Sequence, residues 1–156
     1  MPDRVRFFSG QSLSATDFET EQTYFIEKLR LHNRMLHGIG VVRGLDVTPD
    51  PNDANGIIVS SGFALDPFGN QILVAAQVRV KIGACKTDAC FLTLYYAEAP
   101  THPIPVANGK VESSRITEGF SILTAQTDNA QGVILARLIC QSDQFVIDRS
   151  YVRKSV

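Results

Sequence analysis

The side chains best equipped for chemistry in this chain are three histidines, three cysteines and a few carboxylates beside β-prone segments. His32 and His37 stand five apart around a predicted helix end. That spacing points the rings in different directions, unlike the i, i+4 pair of a zinc protease. His102 lies in a proline-rich stretch and is expected to be solvated. Cys85 and Cys90 could close a short disulfide or supply half a zinc site. No second Cys or His pair has the spacing to complete a tetrahedron. Cys140 ends the apolar run from Val133 to Ile139 and reads as a buried thiol. The odd count favours three structural thiols, with a Cys85–Cys90 disulfide as the main exception.

Paired carboxylates could cleave glycosidic bonds if they faced each other across a cleft. Asp66, Glu98, Glu112 and Glu118 each adjoin β segments, but no pattern makes them converge. Ser113-Ser114 lacks the glycine-flanked elbow of a nucleophilic serine. Gly38, Gly40 and Gly44 precede a strand rather than a helix, so they do not form a phosphate-cradling loop. Asp50, Asp53 and Asn55-Gly56 hint at calcium, but the bidentate glutamate that would finish such a loop is missing. The expectation is a chain that is not an enzyme and uses no cofactor and no metal.

The elements that position these residues begin with an extended entry, Arg4 to Phe8, closed by Ser9-Gly10. A helix then starts near Ser14 or Thr16, because Ser14 with Asp17, or Thr16 with Glu19, can form a capping box. Acidic Asp17, Glu19 and Glu21 near its start and basic Lys28, Arg30 and Arg34 near its end complement the helix dipole. Phe18, Phe25, Leu29 and Leu36 share one face with Gln22 and His32, and Tyr24, Leu31 and Met35 form a second stripe. Two stripes exceed what a helix lying on one small sheet requires. One is expected to cover the sheet, and Tyr24, Leu31 and Met35 are the candidate partner-docking surface. Gly38 supplies the left-handed residue that stops the helix.

The remainder reads as β: Val41–Val47, Ile57–Ser60, Phe63–Leu65, Gln71–Ala75, Val78–Lys81, Phe91–Ala97, Gly119–Ala125, Val133–Cys140 and Phe145–Asp148. Asp66-Pro67-Phe68-Gly69 has the residues of a tight turn and should close a hairpin between Phe63 and Val74. Pro100 to Lys110 is expected to be a long loop kept extended by Pro103 and Pro105. The fold class is therefore α+β, a mainly antiparallel β-sandwich or partly open barrel with one N-terminal amphipathic helix. One domain is expected over residues 1–156, with residues 1–40 as arm and helix and 41–156 as a β-rich body.

With 15 basic and 16 acidic side chains the net charge is −1, and no basic excess gathers on one face, which disfavours nucleic acid. No apolar run approaches the ~20 residues needed to cross a bilayer, and Met1 to Arg4 does not begin a secretory signal. Synthesis in the cytoplasm is expected, without direct membrane insertion. Any membrane association would come through an assembly.

The block RFFSGQSLSATDFETEQTYFIEKLRLHNRMLHGIGVVRGLDV, Arg6 to Val47, is the most distinctive run of the chain. Its Gly10-Gln11, Asp17-Phe18, Glu21-Gln22, Arg30-Leu31-His32-Asn33-Arg34 and Leu36-His37-Gly38 words are ordered in a specific way. They resemble the opening of small proteins of phage-tail-like contractile injection systems and of related phage tail and baseplate proteins. The likeness continues through Gly62–Asp66, Gly69–Ile72, Leu94–Glu98 and Ser113–Phe120, and departs at Arg43 and Phe68, where relatives often carry cysteine. The resemblance implies a non-enzymatic structural or adaptor component. It would sit at or extend the baseplate, linking it to a peripheral or membrane-attachment element. Implied partners are baseplate, sheath and tube proteins and further copies of the chain. His32, Asn33, Arg34, His37 and Gly38 then read as a structural helix-to-strand junction, since helix-end carbonyls need hydrogen-bond partners. The alternative is a glycan-binding recognition module of tail-fibre type, with the Phe91–Tyr96 strand and the Pro100–Lys110 loop as its platform.

Overall fold

The computed structural model of the chain describes residues 3–83, 88–127, 131–141 and 144–156. Among the described residues one α-helix, α1 (Ala15–His32), runs on into one π-helical turn, Asn33–His37. Ten strands follow among the described residues. They are β1 (Gly40–Gly44), β2 (Val47–Pro49), β3 (Gly56–Val59), β4 (Gly62–Leu65), β5 (Gln71–Val74) and β6 (Val78–Lys81), then β7 (Ala89–Pro105), β8 (Val111–Ala125), β9 (Val133–Gln141) and β10 (Gln144–Ile147). They form three antiparallel sheets in the orders β1-β4-β5, β2-β3-β6 and β10-β9-β7-β8. The fold is α+β, as the sequence pattern predicts.

Alternation in the short strands drives the core. In β5, Ile72 and Val74 point inward and Gln71 and Leu73 outward. Leu45, Val59, Ile72, Val74, Leu92, Leu94 and Leu138 are at most 1% exposed and belong to one cluster fed by all three sheets. Each such side chain contributes about 1.5–3 kcal/mol over an exposed one. Cys90 is a buried thiol and Cys140 a half-buried one. Cys85, the other half of the disulfide considered above, lies outside the described residues.

The hairpin β4–β5 closes as expected, with Phe63 opposite Leu73 and Gly62 opposite Val74. Gly69 N–H donates to Asp66 O at 3.0 Å across the turn. The buried Asp66 carboxylate stiffens it by accepting from Phe68 N, Asn70 N and Asn70 Nδ2 at 2.8–2.9 Å.

Two expectations need correction. Val41–Val47 is not one strand. Gly44 and Leu45 take left-handed conformations, φ 64° and 58°, and split it into β1 and β2, which join different sheets. A left-handed leucine costs about 1–3 kcal/mol, an amount its complete burial offsets. Arg153 holds the corner by donating to the carbonyls of Gly44 and Leu45 and to Asp46 Oδ1. Beside it a C-terminal strap clamps β1: Val41 N donates to Lys154 O at 3.0 Å and Val156 N to Val41 O at 3.2 Å.

Nor is Pro100–Lys110 a loop. Strand β7 continues without a break to Pro105 and pairs with β8 from Phe91↔Ala125 out to Pro105↔Val111. Residues 98–100, 102–107, 110–113 and 115–119 are exposed, while β9 covers β7 only over residues 89–94. The distal half is thus a two-stranded arm standing off the core. Pro103 and Pro105 fit because their nitrogens face the side of β7 away from β8, an edge there, where a missing N–H breaks no ladder.

Candidate functional site

The distinctive Arg6–Val47 block builds a helix, its anchor and its exit. Ser14 caps α1: its hydroxyl accepts from Asp17 N at 3.3 Å, and the Asp17 carboxylate accepts from Ser14 N at 2.8 Å. Of the two boxes considered, this one forms, whereas Thr16 O accepts a bond from Thr20 Oγ1. The backbone and side-chain bonds from Ser14 hold the Asp17 carboxyl below its usual value of 3.8.

At the other end the helix widens. Gly38 N donates to Asn33 O at 2.9 Å, five residues back, and Gly38 leaves at φ 84°. This turn overturns the expected divergence of His32 and His37. A π-turn carries more residues than an α-turn, so positions five apart share a face. The two exposed rings lie 5.2 Å apart.

Asn33, 3% exposed, donates from Nδ2 to Gly69 O at 2.8 Å, and Arg34 donates to Phe68 O at 2.6 Å. Arg30 donates to Asn70 Oδ1 at 2.6 Å and Glu27 Oε1 at 2.8 Å, and its far nitrogen is 3.6 Å from Glu98 Oε1. The helix end is therefore tied to the β4–β5 turn rather than to β1, the strand that follows it. Backbone meets backbone at the same point, since a Cβ on Gly69 would fall 2.2 Å from Arg30 O.

A cleft opens between α1 and the base of the arm, lined by Ile26, Leu29, Arg30, Asn70, Tyr96, Glu98 and Glu118 among others. Glu98 and Glu118, for which sequence offered no reason to converge, are direct cross-strand partners. Tyr96 donates to Glu98 Oε1 at 2.8 Å. Burial, the hydrogen bond to Glu98 and the Glu118 charge all push the phenol well above its ordinary range. Arg30 supplies the nearby positive charge. No group of three or more metal-ligating side chains occurs among the described residues.

Away from this anchor the helix is open, and none of its residues is buried. The stripe expected to cover the sheet does not do so: Phe18, Phe25, Leu29 and Leu36 are 48–70% exposed. On the second stripe Met35 is 70% and Leu31 43% exposed. Tyr24 is half-buried, with its ring edge-on to Phe25 at 5.4 Å and Lys28 Nζ 5.7 Å from its centroid. The aromatic residues named for a glycan platform do not form one face. Phe91 packs on Tyr151 at 6.0 Å, and adjacent Tyr95 and Tyr96 point to opposite sides of the strand.

No family model matches the chain, and no curated protein sequence does. Solved structures do share its fold. A chain of the TssK-TssF-TssG baseplate subcomplex of the type VI secretion system superposes with a TM-score of 0.63 at 12% identity, over 98% of this chain and 62% of that one. A chain of the baseplate complex from the type VI secretion system gives 0.63 at 11%, over 98% and 60%. The crystal structure of TssK gives 0.60 at 13%, over 95% of this chain and 41% of that one. The chain thus spans about three fifths or less of these neighbours' length, and at such identities the likeness is one of fold.

Proposed function

We propose that this chain is a non-enzymatic structural component at or near the baseplate of a contractile injection particle. There it links the baseplate to a peripheral or membrane-attachment element. The observation that carries the reading is the agreement of two independent likenesses. The fold follows baseplate chains over 98% of its length, and the Arg6–Val47 block resembles contractile-system proteins. The open helix adds a physical reason, because a soluble protein rarely leaves large apolar side chains along a whole helix unless something covers them. In this role Tyr24, Leu31 and Met35 dock a neighbouring baseplate subunit. Asn33 and Arg34 hold the helix at a fixed angle to the body, and the particle supplies any contact with a membrane. No described helix is long and apolar enough to cross one.

The test is a pull-down of the tagged chain from its native host, followed by mass spectrometry. Co-purification of baseplate, sheath and tube proteins is the expected result, and recovery of none of them would sink the proposal. Changing Tyr24, Leu31 and Met35 together to serine should cut that recovery at least about tenfold while leaving the circular dichroism spectrum unchanged. Unfolding of the triple variant would instead make the second stripe part of the chain's own packing.

A further inference from the structure

The π-turn changes what two histidines can do together. In a regular α-helix, residues five apart point about 140° apart and cannot meet at one ion. The wider turn Asn33–His37 takes up that excess and brings the His32 and His37 rings to 5.2 Å between centroids. Both are exposed, and neither ring makes a hydrogen bond or ion pair among the described residues. Four ring nitrogens therefore lie close together with no partner from the chain.

We infer that His32 and His37 chelate one divalent transition ion of the zinc class, with water in the remaining positions. Zinc–nitrogen bonds of about 2.0–2.1 Å at a tetrahedral angle set the centres of two ligating imidazoles about 5 Å apart. The observed separation is 5.2 Å, and the ring planes are inclined at 60° rather than stacked. Loading the site then needs no backbone movement, only rotation of two exposed rings about their side-chain bonds. The support is firm, because Asn33 fixes the turn to the body through Gly69 O.

The donor set selects the ion. Neutral imidazole suits zinc, copper and nickel, whereas magnesium and calcium take oxygen ligands, and no carboxylate joins the pair among the described residues. The cations nearest in sequence are engaged elsewhere. Lys28 lies by the Tyr24 ring, Arg30 donates to Asn70 and Arg34 donates to Phe68 O. On its other side His37 borders a recess lined by Val42, Phe63 and Leu65, which bring no charge. Two ligands of a possible four give roughly half the free energy of a closed structural site, so a Kd on the order of 10–100 µM is expected. The inference does not depend on the baseplate reading, since its test uses the purified chain and zinc alone.

Zinc chloride is titrated into the labelled protein while the histidine ring signals are followed by NMR, with affinity read by calorimetry. The His32 and His37 rings should respond together and saturate at one ion per chain, while His102 is unmoved. Magnesium chloride should move none of the three. His32→Ala and His37→Ala should each weaken binding at least about tenfold, and His102→Ala should not. Thiols also take zinc, so the titration is repeated with Cys85→Ser and Cys140→Ser, which should leave the paired ring response unchanged. Rings that stay unmoved up to about 1 mM zinc, that respond with separate affinities, or that respond equally after the other ring is removed would each overturn the inference.

Discussion

Asn33 joins three facts in one side chain: it opens the π-turn, it is the buried residue of that turn, and its amide reaches a carbonyl 36 positions away. Replacing it with alanine leaves the buried Gly69 carbonyl without that donor. The expected cost is about 1–3 kcal/mol in urea unfolding, with faster amide exchange along α1 than in the core strands. At the other end of the helix, Asp17 should titrate below 3.8 by NMR, and Ser14→Ala should bring it back toward that value. Because the folded-state value is depressed, the cap's contribution is present above 3.8 and fades as pH falls through the lower folded-state value. The two ends were not equally legible in the sequence. Ser14 and Asp17 are three apart, so their chemistry can be read from spacing, whereas nothing local in Asn33 names Gly69. The His32–His37 approach was hidden for a related reason: the ring positions assume an α-turn, and only the structure shows the wider one.

At the level of elements, α1 rests on a glycine. Gly69 has φ 86°, and a Cβ there would fall 2.2 Å from Arg30 O. Gly69→Ala should therefore lift the helix end from the turn and cost at least about 2 kcal/mol. In hydrogen exchange, loss of protection should centre on residues 15–37 and on the β4–β5 turn, while β9 and the proximal half of β7 stay protected. The turn itself was readable because aspartate accepts the turn's N–H groups, proline fixes φ and glycine tolerates a positive φ. The distal half of β7 was not, because a strand that buries neither face has no alternation to display, and three prolines read as loop. The break between β1 and β2 was missed because Leu45 follows the apolar pattern while its backbone turns left-handed.

For the whole molecule, the core and the arm are separable. Pairing between Ala97 and Gly119 lies at the base of the arm, and almost everything beyond it is exposed. Replacing residues 98–118 with an Asn-Gly turn should keep the fold and shift the thermal midpoint by no more than about 5 °C in calorimetry. A collapse of the cooperative transition would show that the arm is part of the core. Composition and strand count were enough to read the α+β class, but not that three small sheets share one core, since that depends on pairings between distant segments. The strap at Arg153 has a consequence in time. It grips the Gly44–Leu45 corner across 108 residues, which a ribosome takes roughly 5–20 s to add. Until residues 153–156 emerge, a strained corner and an unclamped β1 wait in a chain whose helix has already left the exit tunnel. Nascent chains arrested short of Arg153 should therefore be cut readily by protease around residues 40–47. The corner is sealed only by residues made long after it.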